Sequence, residues 1–189
     1  MATNPAVADA CCTLNLLATG RESQILEALG MTIVVPERVR TEVRFLWTPP
    51  DENSVRHRVP VDIESLVTTG LFEVMQPTSE QYIDAFVEAA ALITDSDASC
   101  IALAGVSRMP LISDDGKERK IAKNLFPDIK LISTLELLHK ASTVLAWDQN
   151  TMINIAASLR WRGNFAPPRR DGLAEWYGAL LRKAHPSAR

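Results

Sequence analysis

Carboxylates recur in this chain at the places where an α/β fold gathers side chains. Asp9 closes a short apolar run (PAVAD), and Ser113, Asp114 and Asp115 close another (PLISDD). Asp97 stands beside Asp95 where a helical pattern opens, and Glu42 lies among Arg38, Arg40 and Arg44. Bare carboxylates brought together repel, and one would be driven to take a proton. A hard divalent cation removes that cost, and oxygen donors without Cys or His suit Mg²⁺ or Mn²⁺ better than zinc. Such ions hold phosphate oxygens, activate water and neutralise a leaving oxygen, so the matching reaction is phosphodiester hydrolysis. Plainer roles stay open for each acid alone. Asp9, Asp97 and Asp115 are also candidate helix N-caps, and Glu42 can pair with an arginine one turn away. The combination carries the chemical reading.

Short apolar runs alternate with helical patterns along the chain. Strands are expected at Pro5–Asp9, Met31–Val35, Leu71–Met75, Pro110–Ser113 and Ile129–Ser133. Helices are expected at Cys11–Thr19, Glu22–Leu29, Glu37–Trp47, Val61–Thr69, Ser79–Ile93, Ala98–Ser107, Asp115–Leu125 and Thr134–Trp147. Thr48–Pro60, rich in proline and polar residues, reads as a surface connector. This alternation implies a mostly parallel sheet covered on both faces, with right-handed crossovers. Ligands in such sheets collect outside the carboxyl ends of the strands, where Asp9, Asp114 and Asp115 fall; Asp97 stands at a helix start and Glu42 mid-helix, and several of these acids are expected to converge on one rim. Two further helices, about Asn150–Trp161 and Asp171–Ala184, flank a segment containing Pro167 and Pro168.

At 189 residues, 47% hydrophobic and 23% charged, the chain has ordinary globular composition, which excludes fibrous or wholly disordered classes. Its net charge of −3 excludes a polybasic nucleic-acid binder. The charge is uneven: residues 1–150 carry −8 and residues 151–189 carry +5. Such an acidic body with a basic tail suits a tail that touches phosphate. Cys11, Cys12 and Cys100 make no disulfide framework, so a reducing, cytoplasmic setting is expected. His57, His139 and His185 are too scattered to suggest zinc. No apolar run reaches membrane-spanning length and no cationic leader stands at the start, so neither a span nor a signal peptide is expected.

In this order the blocks resemble the PIN-domain family, which includes VapC-type ribonuclease toxins. VADACCTLNLLATG resembles the family's opening, with Asp9 and, six positions on, Asn15. VPERVRTEVRFL resembles the second block through Glu42, and DSDASCIALA the third through Asp97. LISDDGKERKIAKNL resembles the fourth through Ser113 and Asp115, with Asp114 beside them, and DIKLISTLELL the closing strand and helix. Cys11 stands where the family often has Ser, Thr or Asn. An aspartyl-phosphate hydrolase would need a second Asp at that same place. The resemblance spans about residues 4–140 and implies a three-layer α/β/α sandwich and a metal-dependent endoribonuclease. Asp9, Glu42, Asp97 and Asp115 are its expected catalytic acids. Asp9, Asp97, Asp115 and Asp114 are expected to hold Mg²⁺ or Mn²⁺, with Asn15 and Ser113 supporting them. A role as the toxin of a toxin–antitoxin pair follows from the same resemblance, with RNA, an antitoxin and a second copy of the chain as partners. A PIN-like module that binds RNA or protein without cutting is the alternative.

The chain therefore divides, on expectation, into a PIN-like domain at residues 1–140 and a helical basic extension at 141–189 that packs on it. Lys117, Arg119 and Lys120 follow the fourth acid directly, and Arg160 and Arg162 interleave with Trp161 in the extension; all five are candidate RNA contacts. The aromatics Trp161, Phe165 and Trp176 are expected mainly to anchor the extension.

Overall fold

The structure is a computed structural model and describes residues 4–184, so His185 lies outside the described residues. Its centre is a five-stranded sheet, every neighbouring pair parallel. The strands are β1 (Asn4–Ala8), β2 (Met31–Pro36), β5 (Phe72–Met75), β6 (Leu111–Ile112) and β7 (Leu131–Ile132), in the order β5-β2-β1-β6-β7. All six residues of β2 are buried, as a parallel strand covered on both faces requires. The chain builds outward from β1 through β2 to β5, then returns to the other side of β1 for β6 and β7. Because crossovers keep one hand, this reversal sends the helices of the crossovers leading to β6 and β7 to the opposite face. α1 (Ala10–Ala18), α2 (Glu22–Leu29) and α8 (Thr134–Val144) pack together on one face. α5 (Glu80–Ala90), α6 (Asp95–Val106) and α7 (Gly116–Leu125) pack on the other, with the single turn α3 (Glu37–Arg40) against α6. The result is a three-layer α/β/α sandwich.

The reversal between β1 and β6 creates a crevice at the carboxyl ends of the two central strands. Register then fixes what faces it. Val7 pairs with Leu111 and Ala8 with Ile112, so Asp9 and Ser113 leave the sheet side by side. Asp9 N donates to Ile112 O at 3.2 Å and Ser113 N to Ile132 O at 3.0 Å, so both exits are bonded to the sheet.

One stretch differs from expectation. The helix expected over Glu37–Trp47 ends after Arg40, and Phe45–Trp47 is instead a strand, β3. The expected connector Thr48–Pro60 returns as β4 (Arg58–Pro60), which pairs antiparallel with β3. α4 (Ile63–Thr68) follows. The alternation of Val43, Phe45 and Trp47 is a strand period, and β-branched Thr41 and Val43 favour extended chain. Arg58 lies over the rings of Phe45 (4.3 Å) and Trp47 (5.4 Å), and Arg56 over Trp47 (5.0 Å). Ring faces and guanidinium planes attract when brought this close, which staples an otherwise exposed hairpin. Glu42 consequently sits in the turn between α3 and β3, not mid-helix.

α9 (Gln149–Arg162) packs on α1, and α10 (Ala174–Ala184) on α9. Two donors from α9 meet the carbonyl of Ala18 at the end of α1: Ser158 Oγ at 2.7 Å and Arg162 Nη1 at 3.5 Å. Phe165 is buried edge-on to Tyr177, and His139 meets Trp176 in the same way. Phe165 and Trp176 are packing groups, as expected.

α6 and α7, which carry two of the acids, are joined by a close approach: a Cβ on Gly105 would stand 2.3 Å from the Phe126 ring. Gly105→Ala is therefore expected to destabilise the protein by about 1–3 kcal/mol through overpacking, and adding Phe126→Leu should recover part of the loss. Urea unfolding of the single and double variants measures both effects.

Candidate active site

Asp9 caps α1. Its Oδ1 accepts from Cys12 N at 2.5 Å, which places the carboxylate at the amino end of the helix while the side chain is only 5% exposed. Burial raises its pKa to about 6; the Cys12 N–H opposes that, and the charge of Asp114 adds to it. Asp114 is held by four donors: Thr134 Oγ1 (2.6 Å), Thr134 N (2.9 Å), Cys12 Sγ (3.3 Å) and Asn15 Nδ2 (3.4 Å). Asn15, one turn beyond Cys12 on α1, is buried, and its Nδ2 also reaches Thr134 Oγ1 at 3.5 Å. Asp115 caps α7, accepting from Lys117 N (2.6 Å) and Glu118 N (2.9 Å), and its own N–H is held by Ser113 Oγ at 3.2 Å.

The other two acids come from the start of α6 and from the turn after α3. Asp97 lies in the first turn of α6 and exchanges bonds with the cap residue Thr94: the hydroxyl donates to Oδ2 at 2.7 Å, and Asp97 N donates back at 3.3 Å. Glu42 accepts from the Ser96 hydroxyl, so its turn is tied to the start of α6. It pairs with none of its neighbouring arginines. Arg40 bridges Glu37 and Glu64, and Arg38 faces Asp95 at 3.6 Å.

Asp9, Glu42, Asp97, Asp114 and Asp115 all line one cleft of about 450 Å³, together with Cys11 and Asn15. The remaining wall is Asn164, Phe165, Ala166 and Pro168, from the segment between α9 and α10. Among the described residues no three of these acids converge into a ready-made coordination shell. Each is turned onto its own helix cap or hydroxyl. The donor set nevertheless fits a hard cation: five carboxylates line the cleft, and of the described histidines, His57 and His139, neither does. The Cys11 thiol is pushed up to about 11 by desolvation and the surrounding acids, so it is protonated at neutral pH.

Glu118 was not anticipated. Ser113 Oγ donates to its Oε2, and its Oε1 has no hydrogen-bond partner although the side chain is fully buried. Burial, then the charge of Asp9, raises its pKa to about 9. Helical spacing could have found it. Glu118, Ile121, Ala122 and Leu125 lie at i, i+3, i+4 and i+7, so the glutamate falls on the apolar face of α7.

The basic candidates divide. Lys117 is exposed and lines a shallow depression with Asp97 and Asp115; Lys120 and Arg160 are exposed. Arg119 donates from Nη1 to Ser113 O at 2.8 Å and so is fixed beside the acids. Arg162 is turned onto Ala18 O and packs over Gly20, away from the cleft lining. A larger depression of about 700 Å³ lies at the amino ends of β6 and β7, around Gly105, Arg108 and Lys130; its one carboxylate is Asp128.

A parallel α/β/α sheet with an acid-lined cleft at its switch point is the arrangement of a nuclease class whose members generally use divalent metals. The sequence places the chain within it: residues 5–153 match the PIN domain, and the protein belongs to the PIN-domain family, a nuclease fold. No curated protein matches the chain. No helix among the described residues is long and apolar enough to cross a membrane.

The two raised carboxyls fix a sign for the pH dependence of stability. Between the ordinary values, 3.8 and 4.5, and the raised ones, about 6 and about 9, the native state holds protons that the unfolded chain has lost. Stability in EDTA should therefore fall as pH rises towards 9. Glu118→Gln keeps the shape of the neutral carboxyl and cannot ionise. It is expected to fold, to flatten this slope and to exceed the parent in stability above pH 7. Urea midpoints across the pH range test this, and parallel slopes for the two proteins would refute it.

Proposed function

We propose that the protein is a metal-dependent endoribonuclease that hydrolyses RNA phosphodiester bonds. The observation that carries this reading is the convergence of five carboxylates, from four separated stretches of chain, on one cleft at the β1–β6 switch point. Asp9, Asp97, Asp114 and Asp115 would hold Mg²⁺ or Mn²⁺. Bound there, the cation supplies charge neutralisation and a more acidic water for attack on phosphorus. Asn15 and Thr134 orient Asp114 from two sides, and the Cys12 N–H holds one oxygen of Asp9, so neither carboxylate is free to swing. Glu42, tied to Ser96, sets the acidic rim opposite Asp9. Lys117 and Lys120 on the adjoining helix draw the RNA backbone towards the acids, and Arg119 holds its guanidinium close to Ser113.

Asp9→Asn removes one charge with almost no change of volume, and asparagine is as good an N-cap as aspartate. Cleavage of single-stranded RNA in Mn²⁺ is expected to fall by at least about a hundredfold, while the thermal midpoint stays within a few degrees of the parent. Equal cleavage by the two proteins would remove Asp9 from the reaction. Intact RNA with both, together with salt-sensitive binding, would leave a non-cutting RNA-binding module.

A further inference from the structure

The cleft does not end at the acids. Asp114 and Pro168 also line a second cavity, of about 350 Å³, whose wall includes Arg119, Arg170 and Gly116. The two residues shared by both linings make the cavities neighbours. The segment that builds its outer side, between α9 and α10, lies beyond residue 153, where the PIN-domain match stops.

This segment is held in place along its length. Phe165 is buried against Tyr177, and Phe165 N donates to Leu159 O at 3.2 Å. Arg56 of the β3–β4 hairpin reaches Asn164 Oδ1 at 3.4 Å and the carbonyl of Trp161. Asp171 N bonds Pro168 O at 3.0 Å, and Asp171 Oδ1 accepts from Leu173 N at 2.8 Å. Pro167 and Pro168 fix their own φ angles. The carboxylates of the second cavity are already engaged: Asp114 by its four donors, Glu136 by Ser133 N at 2.6 Å, and Asp171 by Leu173. Arg170 is the opposite case. It is exposed and makes no hydrogen bond or ion pair among the described residues. Arg119, anchored by Nη1, has its other guanidinium donors uncommitted among the described residues.

We propose that this second cavity is a subsite for the phosphate of a nucleotide flanking the scissile bond, with Arg170 as its principal contact and Arg119 as the fixed partner. It rests on the nuclease reading above and extends it. The basic extension contributes a built wall and a specific guanidinium to the RNA path, not diffuse positive charge. Planar guanidinium donors match phosphate oxygens in pairs.

The test uses full-length protein in the Asp9→Asn background, with binding of a short fluorescein-labelled single-stranded RNA followed by anisotropy at several salt concentrations. Arg170→Ala is expected to weaken binding about tenfold and to lower the salt slope by about one. Arg170→Lys should keep the slope and lose part of the affinity. Arg169→Ala removes the same charge one residue away, outside the cavity, and is expected to cost about twofold or less. Equal losses for the two alanine variants, or none for Arg170→Ala, would overturn the subsite. Cleavage by the otherwise unmodified chain in Mn²⁺ separates the two readings. Cleavage with an indifferent Arg170 refutes the subsite alone; no cleavage, with binding that still depends on Arg170, refutes the nuclease reading and the placement beside a scissile bond, and upholds only an RNA-phosphate contact at Arg170.

Discussion

Like charges are held together here against their mutual repulsion by the register of two parallel strands. Ala8 is paired with Ile112, so the residues that follow, Asp9 on one side and Ser113 to Asp115 on the other, must leave the sheet together. Sliding β6 by one position would turn its whole side-chain set to the other face, and the apolar packing of Leu111 and Ile112 forbids it. The acids do not gather by attraction. The core gathers them, and burial, with the charge of neighbouring acids adding to it, raises the carboxyls of Asp9 and Glu118.

The local chemistry limits that repulsion. Asp9 and Asp115 each cap a helix, Asp97 exchanges bonds with Thr94, Glu42 takes the Ser96 hydroxyl, and Asp114 accepts from four donors. Charge-assisted bonds to backbone N–H groups are among the stronger hydrogen bonds in proteins. Both readings open to Asp9 from the sequence, helix cap and cleft acid, are therefore correct at once: the cap is the device that lets a carboxylate sit buried at the rim.

Much of this was legible beforehand. The central strands are short apolar runs ended by polar residues, so period and punctuation located all five, and the order of alternation implied the parallel sheet. The acids at the ends of β1 and β6 followed directly. What stayed hidden depended on contacts far apart in sequence. Phe45 and Trp47 form a strand because Arg56 and Arg58, nine to thirteen residues on, close over their rings. A helical reading of Glu37–Trp47 could not see that partner, and so put Glu42 on the wrong element. Asn164 to Pro168 carry no carboxylate and no motif, so nothing local marked them as part of the cleft. Glu118 was readable from its spacing but was obscured by a helix otherwise rich in lysine and arginine.

The carbonyl at the end of α1 is sealed by Ser158 and Arg162 of α9, and the cleft beside that helix is walled by the segment that follows α9. Docking of the terminal helices and occupancy of the cleft are thus thermodynamically linked. Whatever settles in the cleft against both walls favours the docked arrangement by mass action, more so as its concentration exceeds its dissociation constant. By the same linkage, weaker seating of the last helices lowers the affinity for that ligand with every acid still in place.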